Sequence, residues 1–167
     1  MAKQSSQRLI LDASVIIDLY LGGVLEALLE LPYGFETPDQ IIMELLDPAG
    51  EMVMMKGVIR VTLTGDQLRE SAAMRAQHNR LSLGDVGAFL LARDRNAILL
   101  TGDKLLRSLA ESAGVTVHGV LWVLDELEAA GLLAGPALSA SLRRMLAQGA
   151  RLPADECETR LKRWERR

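Results

Sequence analysis

Four acidic residues stand where a folded chain could bring their carboxylates together. Asp12 and Asp103 each follow a short run of apolar residues that is typical of a buried strand, whereas Glu44 and Asp85 lie in segments with helical patterns. Neighbouring carboxylates repel one another and raise each other's pKa unless a cation neutralises them. Oxygen ligands without His or Cys suit Mg²⁺ or Mn²⁺. The sequence therefore predicts a divalent-metal site formed by these four acids.

The elements that must position the acids alternate between short apolar strands and longer amphipathic helices, which predicts an α/β fold with a parallel sheet covered on both faces. The predicted strands are 8–12, 34–36, 58–63, 97–101 and 115–118, with 97–101 at the centre. Ligands of such sheets bind outside the carboxyl ends of the strands. Asp12 and Asp103 are therefore expected at the same edge, with their side chains converging on one cleft.

Capping residues predict where several helices begin. Thr37 is the expected N-cap of a helix that carries Glu44, with Gln40 completing a capping box, and Asp66 is expected to cap a polar helix that runs to Gln77. Ser82 and Asp85 form a further predicted capping box. The remaining helices are expected over 14–31 with a break near 22–23, 103–112, 122–130, 136–148 and 153–164.

Each acid also has a purely structural interpretation. Asp103 could merely cap the following helix, Asp85 could merely complete its capping box, and Glu44 could be a solvated side chain. Asp12 is harder to explain in this way, because a carboxylate at the end of a buried strand is costly to desolvate without a donor or a cation.

Composition is typical of one globular domain: the chain has 167 residues, 49% of them hydrophobic and 25% charged. The single cysteine, Cys157, excludes an internal disulfide and a Cys-based zinc site, and it fits the reducing cytoplasm. No apolar run approaches the roughly 18 residues of a membrane span, and residues 1–8 lack the apolar stretch of a signal peptide. We therefore expect a cytoplasmic protein without a membrane partner.

Charge is distributed unevenly around a net value of −3. Residues 1–135 contain 11 basic and 18 acidic residues, a balance of −7, whereas residues 136–167 contain 8 basic and 4 acidic residues, a balance of +4. We predict a main domain over 1–135 and a basic helical extension over 136–167 that packs on it. The extension is either a surface that faces RNA phosphates or a partner, or a pair of solvated helix faces.

Several motifs resemble a known family, the PIN domains, over roughly residues 8–133. Leu-Ile-Leu-Asp-Ala-Ser-Val-Ile-Ile-Asp-Leu (9–19) resembles the opening of that domain, where an Asp binds metal. Leu-Ser-Leu-Gly-Asp-Val-Gly-Ala-Phe-Leu-Leu-Ala (81–92) resembles its central helix, and Ala-Ile-Leu-Leu-Thr-Gly-Asp-Lys-Leu-Leu (97–106) its fourth strand. The Glu within 41–46 occupies the place of the family's helix acid. The resemblance implies a three-layer α/β/α sandwich with a five-stranded parallel sheet and Mg²⁺- or Mn²⁺-dependent cleavage of RNA, often by the toxin of a toxin–antitoxin pair.

Roles for individual residues follow from this resemblance and from phosphodiester chemistry. Asp12 and Asp103 are the predicted direct metal ligands, and Glu44 and Asp85 are predicted to bind the metal directly or through water. Two hydroxyls, those of Ser14 and Thr101, are predicted to orient these carboxylates. Lys104 is predicted either to contact a substrate phosphate or to be solvated. Because Lys104 and Leu105 follow Asp103 where many such toxins carry a further acid or a polar residue, a second metal site is expected to be weak or absent.

The leading hypothesis is an endoribonuclease of the PIN type, with RNA as substrate and a cognate antitoxin as a possible partner. The alternative is a non-catalytic PIN-like module that binds RNA or regulates. A third and less favoured hypothesis is a haloacid-dehalogenase phosphatase, since that class requires a second Asp where this chain has Ser14. A homodimer is expected because the chain is rich in Leu and Met and its closing helices carry many apolar residues.

Overall fold

The computed structural model describes residues 7–166 and contains a five-stranded parallel sheet flanked by helices. Residues 1–6 and Arg167, which belong to the predicted polar N-terminus and basic extension, lie outside the described residues. The strands are β1 Arg8–Leu11, β2 Gly34–Pro38, β3 Ile59–Val61, β4 Ile98–Leu100 and β5 Val117–His118. Their order across the sheet is β3-β2-β1-β4-β5. The predicted α/β fold is confirmed.

Ten helices occur within the described part of the chain. They are α1 Ala13–Leu21, α2 Leu25–Glu30, α3 Asp39–Glu44, α4 Gly50–Lys56, α5 Gly65–Gln77, α6 Leu83–Asp94, α7 Lys104–Ser112, α8 Val120–Ala129, α9 Gly135–Ala147 and α10 Ala154–Glu165. Across residues 7–166, none of them is both long enough and apolar enough to cross a membrane.

The central strand is β1, not the segment 97–101 that was expected there. All three apolar residues of β1 are fully buried, because helices cover both faces of the sheet. β4 lies beside β1, with Leu11 paired to Leu100, and the Asp12 amide donates a further hydrogen bond to the Leu100 carbonyl (3.1 Å). This register brings Asp12 and Thr101 to the same edge of the sheet.

Local capping predictions had mixed outcomes. The capping box of Ser82 and Asp85 at the start of α6 is confirmed. The expected box at Thr37 is wrong, because β2 stays paired to its neighbours through Pro38 and the Thr37 hydroxyl donates instead to the Leu11 carbonyl (2.8 Å). Asp66 is not the cap of α5, since Thr64 takes that place and forms a capping box with Gln67.

Helix α4 was not predicted from the sequence. This helix has only seven residues, and the only buried side chain among its apolar residues is that of Val53, whereas Met55 is 88% exposed. A periodic apolar pattern needs more turns than α4 provides, so its sequence offered little helical signal.

The C-terminal helices pack against the rest of the molecule. On α9, the buried Met145 lies against Gly22 at the end of α1, and Arg144 donates to the Gly22 carbonyl (2.7 Å). On α10, Arg160 forms an ion pair with Asp125 of α8 (2.6 Å). A division of the chain at residue 135 stays a prediction.

Trp164 provides a test of this packing, because its large side chain on α10 is fully buried. We expect Trp164→Ala to lower the free energy of unfolding by about 3 kcal/mol or more, the usual cost of removing a buried aromatic side chain. Urea unfolding followed by circular dichroism measures the change. The control is Leu146→Ala on α9, where the side chain is 36% exposed, and it should have a much smaller effect. Equal effects would contradict the docking of α10.

Candidate metal-binding site

Asp12 is the most enclosed of the predicted site residues. It is the N-cap of α1 at the carboxyl end of β1, and only 1% of its surface is exposed. One carboxylate oxygen, Oδ1, accepts from the Val15 amide (3.0 Å) and the Ser14 hydroxyl (2.8 Å), and Oδ2 accepts from the Thr101 hydroxyl. All three donors are neutral, and within residues 7–166 no Lys, Arg or His forms an ion pair with Asp12.

Burial dominates the electrostatics of this carboxyl. It raises the pKa of Asp12 to about 6, although the hydrogen bonds from Thr101, Val15 and Ser14 lower it, and the charge of Asp85 adds a smaller increase. The buried carboxylate is therefore charged at neutral pH at an energetic cost that its neutral donors offset only in part. A bound cation would remove that cost.

The charge of Asp85 interacts with two of the other acids, Asp12 and Glu44. It belongs to the first turn of α6, where its Oδ2 accepts from the Ser82 amide (2.9 Å). Its charge contributes to the raised pKa of both Asp12 and Glu44. Glu44 is the last residue of α3, and partial burial raises its pKa first, with Asp85 second. Asp85 thus interacts electrostatically with acids from two other segments of the chain.

Close packing of α3 on α6 depends on Gly84, a residue that the sequence analysis did not single out. A Cβ at position 84 would lie 2.8 Å from Ile41 Cγ1 and 3.1 Å from Glu44 Oε2. A side chain there would push Glu44 away from Asp85. The sequence did offer a sign of this contact, because a glycine in the first turn of a helix lowers helix stability and no neighbouring residue in the sequence explains its presence.

Asp103 is a helix N-cap, as Asp12 is. It caps α7, and its Oδ1 accepts from the Leu106 amide (2.8 Å). Its own amide donates to the Thr101 hydroxyl (3.1 Å), which in turn donates to Asp12. The structure therefore joins Asp103 to Asp12 through Thr101, while one oxygen of the Asp103 carboxylate is directed at the helix terminus.

The hydroxyls of Ser14 and Thr101 both contact Asp12, as the predicted orienting role requires. Ser14 Oγ also accepts from the Gly102 amide (3.1 Å), so it connects α1 to the loop after β4. Lys104 is exposed at the start of α7 beside Asp103. Its contact with a substrate phosphate stays a prediction, as do the metal-binding roles of all four acids.

The arrangement fits a divalent ion held by few protein ligands. Considering residues 7–166, no three or more Asp, Glu, His or Cys side chains form a group that could hold a metal ion. Mg²⁺ typically takes one or two carboxylates and completes its shell with water and substrate phosphates. Asp12 has two acids nearby, since Thr101 links it to Asp103 and the charge of Asp85 acts on it, and both Asp85 Oδ1 and Asp103 Oδ2 have no hydrogen-bond partner in the described part of the chain. Capping a helix and binding a metal are thus compatible for these acids.

Most basic residues of the C-terminal helices are neutralised by nearby acids. Arg163 forms ion pairs with Asp125 and Glu128 (both 2.7 Å), Lys162 pairs with Glu158 (2.6 Å), and Arg143 pairs with Glu165. Glu158 and Glu165 are already counted in the balance of +4, whereas Asp125 and Glu128 belong to α8, so these two acids lower the local balance from +4 to +2. Binding of RNA by this extension stays a prediction.

Comparisons with known proteins agree with the fold. A family model described as a PIN domain matches residues 8–166, which extends beyond the region of the motif resemblance. Among solved structures, the chain is similar to a PilT N-terminus domain protein from the hyperthermophilic archaeon Sulfolobus solfataricus P2. The TM-score is 0.53 and the identity 17%, over 72% of this chain and 93% of that chain, which is a similarity of fold alone. No curated protein matches the chain.

The burial of Asp12 leads to a prediction for the metal-free protein. The pKa of Asp12 in the folded state, about 6, lies above its ordinary value of 3.8, so folding is favoured by the protonated form. The stability that this group contributes is complete below pH about 4 and is lost as the pH rises through about 6. Asp12→Asn removes the charge and should stabilise the protein in EDTA at pH 8, by up to roughly 3 kcal/mol. Urea unfolding at pH 4.5 and pH 8 measures the difference.

The matched control for this experiment is Asp94→Asn. Asp94 pairs with Arg93, which lowers the pKa of the Asp94 carboxyl, so the charged form favours folding and its loss should slightly destabilise the protein at pH 8. If Asp12→Asn is as destabilising as the control at pH 8, burial of the Asp12 charge is not costly.

Two substitutions at Asp103 separate helix capping from metal binding. In EDTA, Asp103→Ala should cost about 1 kcal/mol because α7 loses its cap, whereas Asp103→Asn keeps an acceptor and should change stability little. Both variants should lose most of the rise in melting temperature that Mn²⁺ gives the parent, since a ligand stabilises the state that binds it. Retention of the full Mn²⁺ shift by both variants would make Asp103 a cap only.

Proposed function

This chain belongs to the PIN-domain family, and from that premise we propose that it is a divalent-metal-dependent endoribonuclease. The family assignment makes it a nuclease-like module. Beyond the family, we propose three properties: the ion is Mg²⁺ or Mn²⁺, the substrate is RNA, and the cleavage is internal.

The observation that carries the proposal is the state of the Asp12 carboxylate. It is buried at the open edge of the sheet, is bonded only to neutral donors and interacts with a second acid, Asp85. A structural carboxylate at such a position would ordinarily be paired with Arg or Lys, because an unpaired buried charge is costly. A buried carboxylate without a charged partner supports the binding of a cation at this position.

In this proposal Asp12 and Asp103 hold the ion directly, with Glu44 and Asp85 bound directly or through water. When bound, Mg²⁺ or Mn²⁺ supplies a Lewis acid for the phosphoryl oxygens and lowers the pKa of a bound water. Ser14 and Thr101 fix the orientation of Asp12 through their hydroxyls. Glu44, with its raised pKa and exposed side chain, is the group best placed to accept a proton from an attacking water.

A second function is favoured by one observation. No closed group of three metal ligands forms within the described residues, which favours a module that binds RNA without cleaving it. Such a non-catalytic PIN-like module would still require the exposed edge, but neither Asp12 nor a metal would be needed for its activity.

We also propose that the protein acts as a homodimer and that it is the toxin of a toxin–antitoxin pair. Support for a protein partner comes from exposed apolar side chains around α3, α4 and the edge strand β3, namely those of Met43, Leu46, Met55 and Ile59. The toxin role rests on the family resemblance. Light scattering at tens of micromolar tests the dimer, and a monomer mass would contradict it.

Incubation with a mixed pool of RNA tests the main proposal. The parent should cleave RNA in Mn²⁺ or Mg²⁺ and not in EDTA, and Asp12→Asn should reduce the rate at least about 100-fold, the usual scale for losing a group that acts in the transition state. Asp94→Asn is the control and should cleave like the parent. RNA binding by the parent without metal-dependent cleavage would support the non-catalytic alternative instead.

A further inference from the structure

Arg107 lies at the same sheet edge as the acids. It is on α7 one turn after Asp103, and its backbone amide donates to the Asp103 carbonyl (3.0 Å). Its side chain extends back over the sheet, where Nη2 donates to the Thr101 carbonyl (3.5 Å) and lies 3.4 Å from the position that a Cβ on Gly119 would occupy. Thr101 therefore contacts Arg107 through its carbonyl and Asp12 through its hydroxyl.

The charge of Arg107 is poorly neutralised by the protein. Its ion pair with Glu111 on the same helix is long (3.6 Å), and the two side chains are 37% and 55% exposed. Exposed pairs of this kind contribute little and are screened by salt. Arg160 on α10 is the contrast, since its side chain is only 17% exposed and pairs with Asp125 at 2.6 Å.

The positive charge of Arg107 acts on His118, the last residue of β5. Burial lowers the pKa of His118 first, and the positive charge of Arg107 lowers it further. The His118 ring also stacks on Trp122, with ring centroids 4.4 Å apart. His118 is therefore neutral at physiological pH, and the positive charge on this side of the edge comes from Arg107 and from the exposed Lys104.

Charges of both signs thus lie along the sheet edge. Asp12, Glu44 and Asp85 lie on the side of β1, α3 and α6, and Asp103 follows β4 at the start of α7. After Asp103, the cations Lys104 and Arg107 lie on α7. A nucleic acid strand that crosses this edge presents phosphates to both sides, and its affinity depends on the basic groups that neutralise them. Guanidinium groups suit this task because they bind phosphate oxygens through two parallel N–H donors.

We infer that Arg107, assisted by Lys104, binds a phosphate of the RNA next to the one at the acidic site and so positions the strand across the sheet edge. The inference rests on the proposed function, because it assigns the substrate's path through that same site. It makes Arg107 a positioning residue and distinguishes it from the basic residues of α10, which acids of α8 and α10 already pair.

A structural role for Arg107 predicts something different. The Thr101 amide donates to the His118 carbonyl (3.0 Å), so the Thr101 carbonyl is at the end of the ladder between β4 and β5, and Arg107 donates to it. Arg107→Gln retains an N–H donor on a shorter side chain and removes the charge, whereas Arg107→Lys retains the charge and loses the planar guanidinium. The two variants together separate charge from strand capping.

Binding of a fluorescently labelled single-stranded RNA of mixed sequence, measured by anisotropy in EDTA from low to moderate KCl, tests the inference without turnover. Arg107→Gln should weaken binding about 5- to 10-fold at low salt and reduce the slope of log K against log salt by about 0.7, the value for one phosphate contact on a single strand. Arg107→Lys keeps the charge but loses the two parallel N–H donors, so its affinity should lie between those of the parent and Arg107→Gln while its salt slope stays that of the parent. Arg8→Gln makes the same change in net charge at the amino end of β1, at the opposite edge of the sheet, and should bind like the parent.

The outcomes separate this inference from the proposed function. If the parent binds and cleaves RNA and Arg107→Gln matches it in affinity and salt slope, the inference is wrong and the proposed function stands. If Arg107→Lys loses binding as fully as Arg107→Gln and both melt well below the parent, Arg107 only supports the strand end. A parent that neither binds nor cleaves RNA overturns both.

Discussion

The hydrogen bond between Thr101 and Asp12 joins the fold to its candidate chemistry. It connects residues 89 positions apart in the chain and places the carboxyl ends of β1 and β4 side by side. The Asp12 carboxylate also caps α1 through the Val15 amide, so its burial is tied to the start of the first helix. Because these donors are neutral, the fold retains a buried negative charge that a divalent ion would stabilise. The proposed metal site is thus a consequence of how β1, β4 and α1 meet.

Parallel strands explain why helix caps and candidate metal ligands are the same residues. In a parallel sheet, helices that follow strands begin at the carboxyl edge, as α1 and α7 do here. Acids are favoured near the N-termini of helices in general, α6 included, because of unsatisfied amides and the helix dipole. Asp12, Asp85 and Asp103 each accept a backbone amide near the start of a helix. These amides lower the cost of gathering the acids before any metal binds, so the two roles support each other.

Surface charge shows why counting residues is a poor guide to binding sites. The extension over 136–167 is the part of the chain with a positive balance, yet its Arg160 and Arg163 pair with Asp125 on α8. Arg107 belongs to the acidic part of the chain and is nevertheless a weakly paired cation close to the candidate site. The binding of a polyanion depends on the net charge of a local surface after its side chains have formed ion pairs. That net charge depends on how the helices pack.

The sequence by itself determined the alternation of strands and helices, the positions of Asp12 and Asp103 after buried strands, and the capping box of Ser82 with Asp85. These features depend on residues within a few positions of one another. Only the tertiary structure decided that Thr37 bonds to Leu11 rather than capping a helix, and that Gly84 lets Glu44 approach Asp85. It also decided the raised pKa of Asp12. Burial and electrostatic coupling depend on distances between segments far apart in the chain, and no local pattern encodes those distances.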